Sequence, residues 1–233
     1  MTIAEKLTAV AENLTKVHEA GKKAQYEEFW ASMPANLDGT YLFSGDMWND
    51  VTFKPKKNIV LRNAVNGLFY NNGCTNIKKA LADCGVTLDM SGVTGANQCF
   101  SYALTTELPA LDLSSMANVQ NFFALAQNLV TIESVRFKDG ATFNNAFGTC
   151  KNLENITILG TISGNGFNVS SSTKLSAKSL WSIVNALSVT TTGLTVTFPT
   201  TAEANYNANP PEGAPQTWAE LTATRQNWSI AYA

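Results

Sequence analysis

Apolar residues recur every three or four positions at the start of the chain: Ile3, Leu7, Val10, Leu14, Val17, Gly21 and Ala24. Alternating steps of four and three make a heptad seam, with Leu7 and Leu14 at a and Ile3, Val10 and Val17 at d. The spacing predicts a long helix over residues 3–24. Thr2, with Glu5 three residues on, supplies a capping box for its start. β-branched residues at d facing leucine at a favour assemblies of more than two strands. Ile3, Leu7, Val10, Leu14 and Val17 are therefore expected to form an oligomerisation seam, with a trimer favoured. The other reading is a helix that docks on its own chain. Tyr26, Phe29 and Trp30 make a second apolar face, and Pro34 and Gly39 end the segment.

From residue 59 the pattern changes to short runs in which apolar and polar positions alternate. Strands are expected at 59–61, 86–90, 110–113, 134–137 and 155–158, with irregular or helical turns rich in Phe and Asn between them. Phe123/Phe147, Asn128/Asn152, Leu129/Leu153 and Ile132/Ile156 are pairs 24 residues apart, and Phe100 lies 23 residues before Phe123. A period of 20–29 residues with recurring Leu, Asn and Phe predicts an α+β solenoid, a leucine-rich-repeat-like β-sheet array. Phe69, Phe100, Phe123 and Phe147 are then expected to stack across repeats. Between inward pairs such as Leu111 and Leu113, the outward strand positions read Asp89, Asp112, Arg136 and Thr157. This row is the candidate exposed binding face. Asp112 beside Arg136 is a favourable cross-strand pair, and Asp89 beside Asp112 an unfavourable one.

Four segments follow: an N-terminal helix for oligomerisation or docking (1–37), a linker and N-terminal cap (38–61), the repeat array (62–160), and a degraded repeat with a C-terminal α/β cap (161–233). In the second, Tyr41, Phe43, Trp48, Val51 and Phe53 are expected to cover the end of the array rather than to form a ligand platform. In the last, Ser176 caps a helix through Leu187 with Leu180, Ile183, Val184 and Leu187 on one face. Residues 193–198 alternate as a strand, Thr217 with Glu220 opens a short helix, and residues 228–232 read as a final strand.

Composition narrows the function classes. The 233 residues are 45% hydrophobic and 15% charged, with a formal net charge of −2. That apolar content suffices for a sizeable core. No basic run suggests nucleic acid, and no stretch approaches a membrane span. The N-terminus is charged and periodic rather than a secretory signal. Cys74, Cys84, Cys99 and Cys150 contain no C-x-x-C pair, and the single His18 lies far from them, so no metal or other cofactor is expected. Cys150 occupies the place of Ala126 one repeat earlier and reads as a small buried hydrophobe. No phosphate-binding loop, nucleophile elbow or zincin motif occurs. With one histidine, Ser-His-Asp and Cys-His catalysis are unsupported. Glu107, Asp112 and Asp139 are available for a carboxylate pair, but the chain is expected not to be an enzyme.

The windows Phe123-Asn128-Leu129-Ile132 and Phe147-Asn152-Leu153-Ile156 resemble the BspA-type leucine-rich repeats of bacterial surface proteins, FxxxxNLxxI. The pieces at 20–30, 43–56, 152–162, 174–188 and 218–230 resemble prophage and gut-phage tail-associated proteins. The resemblance implies a tail fibre or receptor-binding protein located in the virion and extracellular after release. Its implied partners are other tail or virion proteins and a bacterial surface receptor, protein or glycan. The alternative is an adhesin-like repeat protein of the bacterial cell surface that binds host proteins.

Overall fold

A computed structural model of the chain describes residues 12, 20–21, 24–33, 35 and 42–233. The expected helix over 3–24 lies, apart from Glu12, Ala20, Gly21 and Ala24, outside the described residues, and so does the whole seam Ile3, Leu7, Val10, Leu14 and Val17. Residues 24–32 are helical (α1). Then come β1 (Ile59–Ala64), α2 (Ile77–Asp83), β2 (Leu88–Asn97), β3 (Glu107–Leu108), β4 (Leu111–Leu113), β5 (Val119–Gln120), β6 (Thr131–Phe137) and β7 (Asn155–Leu159). The remainder is α3 (Ala177–Ala186), β8 (Leu194–Phe198), α4 (Ala202–Ala208), α5 (Trp218–Ala223) and β9 (Trp228–Tyr232).

The strands pair in parallel but do not form one array. They divide into a β1-β2-β5 sheet, a sheet in which β3, β4 and β7 all pair with β6, and a β8-β9 pair. This overturns the expected leucine-rich-repeat-like α+β solenoid. The chain is a small α/β fold of parallel sheets, with five helices among the described residues. The reasons are local. Pro109, which has no N–H to give a ladder, separates β3 from β4, and both then lie along β6. Register shifts interrupt β1 against β2 at two places and β6 against β7 between Ile132 and Val135. An extra residue displaces every later partner along a strand.

The expected stacking of Phe69, Phe100, Phe123 and Phe147 is present as a column of rings. Phe69 stacks on Phe100 (4.9 Å between centroids), Phe100 on Phe123 (6.0 Å) and Phe123 on Phe147 (5.2 Å). Phe43 continues the column below Phe69 at 5.3 Å, and Phe167 meets Phe147 at 5.5 Å. The turns carrying these rings repeat as well. Asn121 and Asn145 both adopt positive φ, and the Asn145 side-chain amide donates to Asn121 Oδ1 at 2.8 Å. Such residues tolerate left-handed backbone because a short polar side chain can bond locally.

One hydrophobic cluster runs from Trp30 to Trp228. At its beginning Trp30 packs with buried Phe43, Trp48 and Phe53, and Met33 joins the same cluster, whereas Val51 is 80% exposed. Tyr41 lies outside the described residues. Lys57 donates to the Met33 carbonyl, and Lys56 pairs with Glu27 at 3.1 Å, fastening α1 to the loop before β1. In the C-terminal region Ser176 caps α3 through the Ser179 amide, and Thr217 with Glu220 forms the expected capping box on α5. The helix α4, which the sequence reading did not anticipate, buries Ala202 and Tyr206.

Candidate recognition groove

Strand β7 is the last strand of its sheet, and its outer backbone groups meet serines rather than another strand. The Ile156 amide donates to Ser179 Oγ at 2.9 Å and the Ile158 amide to Ser182 Oγ at 2.8 Å. Ser179 Oγ in turn donates to the Glu154 carbonyl at 2.8 Å. Ser179 and Ser182 project from one side of α3, three residues apart, which on a helix is one turn and one face. Leu180, Ile183 and Val184 bury the core-facing side. The helix is thus locked along the sheet edge at a fixed height.

Its C-terminal end is held by a clamp from the end of the chain. Arg225 donates through Nε to the Leu187 carbonyl and through Nη2 to the Asn185 carbonyl, each at 2.9 Å. Asn227 and the Trp228 indole donate to the Ser188 carbonyl at 2.7 and 2.9 Å. These donors satisfy carbonyls that a helix end leaves unpaired.

Between β7 and α3 lies an open groove of ≈ 260 Å³. Thr157 and Gly160 form one wall, and Lys178, Trp181, Ser182 and Asn185 the other. Trp181 and Ser182 are half-buried; Lys178 and Asn185 are exposed. Arg136 reaches the same rim. It is the register partner of Leu159, and a Cβ at residue 160 would stand 3.7 Å from Arg136 Nη1. Gly160 has φ +88°, a backbone that glycine adopts without strain.

A larger groove of ≈ 570 Å³ adjoins it across Asn185 and Ala186. Its polar groups are engaged with one another. Asp139 accepts from Ser163 Oγ, and the Ser188 hydroxyl oxygen accepts from the Thr190 and Thr191 amides at 3.2 and 3.1 Å.

The expected row of Asp89, Asp112, Arg136 and Thr157 is only partly brought together. Asp112 and Arg136 are register partners. Arg136 faces Leu159 rather than Thr157, because of the shift between Ile132 and Val135. Thr157 nevertheless lines the groove whose rim Arg136 reaches. Asp89 is not set against Asp112 in a ladder: its register partner is Val60, and it forms an ion pair with Arg62 at 2.9 Å. Burial opposes ionisation of Asp89. Hydrogen bonds from the Ser91 hydroxyl and amide, with the Arg62 guanidinium, outweigh it and hold the carboxyl below its ordinary range. Lys178, Trp181, Ser182 and Asn185 were missed. One signal was present: Trp181 is a large aromatic beside the apolar stripe of α3, not on it.

The other candidate chemistry is dispersed. Glu107 stands on β3, Asp112 on β4 and Asp139 in the turn after β6. All four cysteines are free, and Cys74, Cys99 and Cys150 are buried. Burial pushes the Cys74 and Cys150 thiols up to about 12 and Cys99 higher still. Among the described residues no helix is long and apolar enough to cross a membrane. Comparison with protein-family models, with curated proteins and with solved structures finds no match for this chain.

Proposed function

We propose that the protein is a non-enzymatic, tail-associated protein of a phage or prophage that binds a bacterial surface. The observation that carries the binding part is the β7–α3 groove, an open cleft on a packed edge lined by Thr157, Lys178, Trp181 and Asn185, with Arg136 beside Gly160 at its rim. Binding sites built on packed helices and strands hold their side chains in place without a partner to order them. The tail association rests on the resemblance of the pieces at 20–30, 43–56, 152–162, 174–188 and 218–230 to phage tail-associated proteins. In this reading the seam of Ile3, Leu7, Val10, Leu14 and Val17 joins three copies, or docks on a tail protein.

Two measurements test this reading. Light scattering of the full chain should give a trimer that Leu7→Asp with Leu14→Asp reduces to a monomer. Purified chain added to susceptible bacteria should compete with phage adsorption. A monomeric wild-type chain removes the trimer, and absence of competition at saturating protein removes the receptor role.

A further inference from the structure

The groove also constrains the chemistry of what it takes. At ≈ 260 Å³ it lies below the roughly 300–1,000 Å³ range of drug-sized pockets, and it suits a single ring. Trp181 supplies an apolar surface with a polar handle, half-buried and therefore fixed. Thr157, Ser182 and Asn185 supply hydroxyl and amide groups able both to donate and to accept. Ser182 accepts from the Ile158 amide, which leaves its own O–H to donate. The charged groups at the groove are cationic: Lys178 in the wall and Arg136 at Gly160. No acid lines the groove itself; Asp112 stands beside Arg136 as its register partner on β4, and Asp139 with Ser163 belongs to the adjoining groove.

An aromatic surface, hydroxyl and amide partners, and a lining that carries a cation and no acid suit a pyranose that bears a carboxylate. We infer that the β7–α3 groove binds an acidic sugar residue, a uronic or sialic acid, of a bacterial surface polysaccharide. The ring face lies on Trp181, and Arg136 and Lys178 take the carboxylate, as guanidinium and ammonium groups do. This rests on the surface-binding reading above and adds the ligand class to it. A single-stranded nucleic acid would also stack on an aromatic, but it needs a basic track along its phosphates. With a formal net charge of −2, this chain as a whole does not favour a polyphosphate backbone, and the octathymidylate below tests that directly.

The test is a calorimetric titration of the full-length chain with three acidic probes: tri-galacturonate, a glucuronate-containing hyaluronan tetrasaccharide and sialyllactose. Galactotriose and an octathymidylate serve as comparisons. At least one acidic probe should bind saturably and lose affinity in high salt, since the contact is partly ionic. The neutral sugar should bind about tenfold more weakly or worse, as expected for loss of a charge-assisted contact. Arg136→Gln and Trp181→Ala should each weaken the acidic probe by about tenfold or more. Arg136 is exposed, so its variant reports on binding even if Trp181→Ala disturbs packing. No binding of any acidic probe, equal affinity for galactotriose, tighter binding of the octathymidylate, or binding unchanged in Arg136→Gln overturns the inference. Adsorption to bacteria that persists in both variants removes this site and keeps the surface-binding reading. Acidic-sugar binding without adsorption to cells does the reverse.

Discussion

Ser182 Oγ accepts a hydrogen bond from the Ile158 amide at 2.8 Å, and this contact ties helix α3 to the outer edge of β7. Ser179 does the same for Ile156 at 2.9 Å. An edge strand with free amides invites pairing with another chain; here a helix answers them from within the same chain. Ile158 is 8% and Ser179 2% exposed, so these amides have little access to water. Ser182→Ala should therefore destabilise by about 1–3 kcal/mol, the penalty for an unpaired buried donor. The double variant with Ser179→Ala should also aggregate more readily on storage. A urea midpoint equal to wild type would show that the edge does not need the serines.

The ring column makes a separate prediction. Phe123 is fully buried between Phe100 and Phe147. Phe123→Ala should cost about 3–5 kcal/mol, and Phe123→Leu markedly less, since it keeps more of the volume. Chemical denaturation of both variants measures this. A loss below about 1 kcal/mol for Phe123→Ala would mean the neighbouring rings close the cavity without cost.

Asp89 gives a pH dependence of known sign. Its carboxyl is depressed in the fold, so the unfolded chain binds the proton more readily. The stabilisation is present above the unfolded value of about 3.9 and is lost as pH falls through the lower folded value. Asp50, where burial opposes ionisation but hydrogen bonds from the Thr75 hydroxyl and amide prevail, acts in the same direction. Stability of wild type should fall between about pH 5 and pH 2, and Asp89→Asn should flatten that slope. An unchanged slope would assign the acid sensitivity to other carboxylates.

The thiols report on the core. Cys74, Cys99 and Cys150 are buried, with their thiols raised to about 12 or beyond, while Cys84 is half-buried. At pH 8 a water-soluble thiol reagent should modify Cys84 alone on the native chain and all four cysteines in denaturant, because the thiolate is the reacting form. Fast modification of Cys150 in the native state would contradict its burial beside the Phe123 carbonyl, to which its sulfur donates at 3.0 Å.

The sequence was informative where the signal is local. Ser176 and Thr217 announce their helices because a cap depends on neighbours within one turn, and both caps are present. Alternation located β4, β6, β7, β8 and β9 to within a few residues. Spacings of 23 and 24 residues placed Phe100, Phe123 and Phe147 in one column. What failed depends on how strands meet. A repeat count assumes one residue opposite one residue, so the shift after Ile132 put Leu159, not Thr157, beside Arg136. Equal spacing also gives no sign that β2 would end against β5 while β4 joins β6. Groove residues on α3 were out of reach because their position is set by hydrogen bonds spanning 23 and 24 residues, from Ile156 to Ser179 and from Ile158 to Ser182.

The account stands or falls on whether this chain binds bacterial surfaces without altering them. The direct measurement is an equilibrium adsorption isotherm of labelled full-length chain on a panel of bacterial strains, with soluble sugar followed in the supernatant. The account predicts saturable, reversible adsorption to at least one strain and no sugar released over time. Absence of saturable adsorption across the panel would contradict it. So would sustained sugar release that disappears when Glu107, Asp112 or Asp139 is replaced, which would make the protein an enzyme.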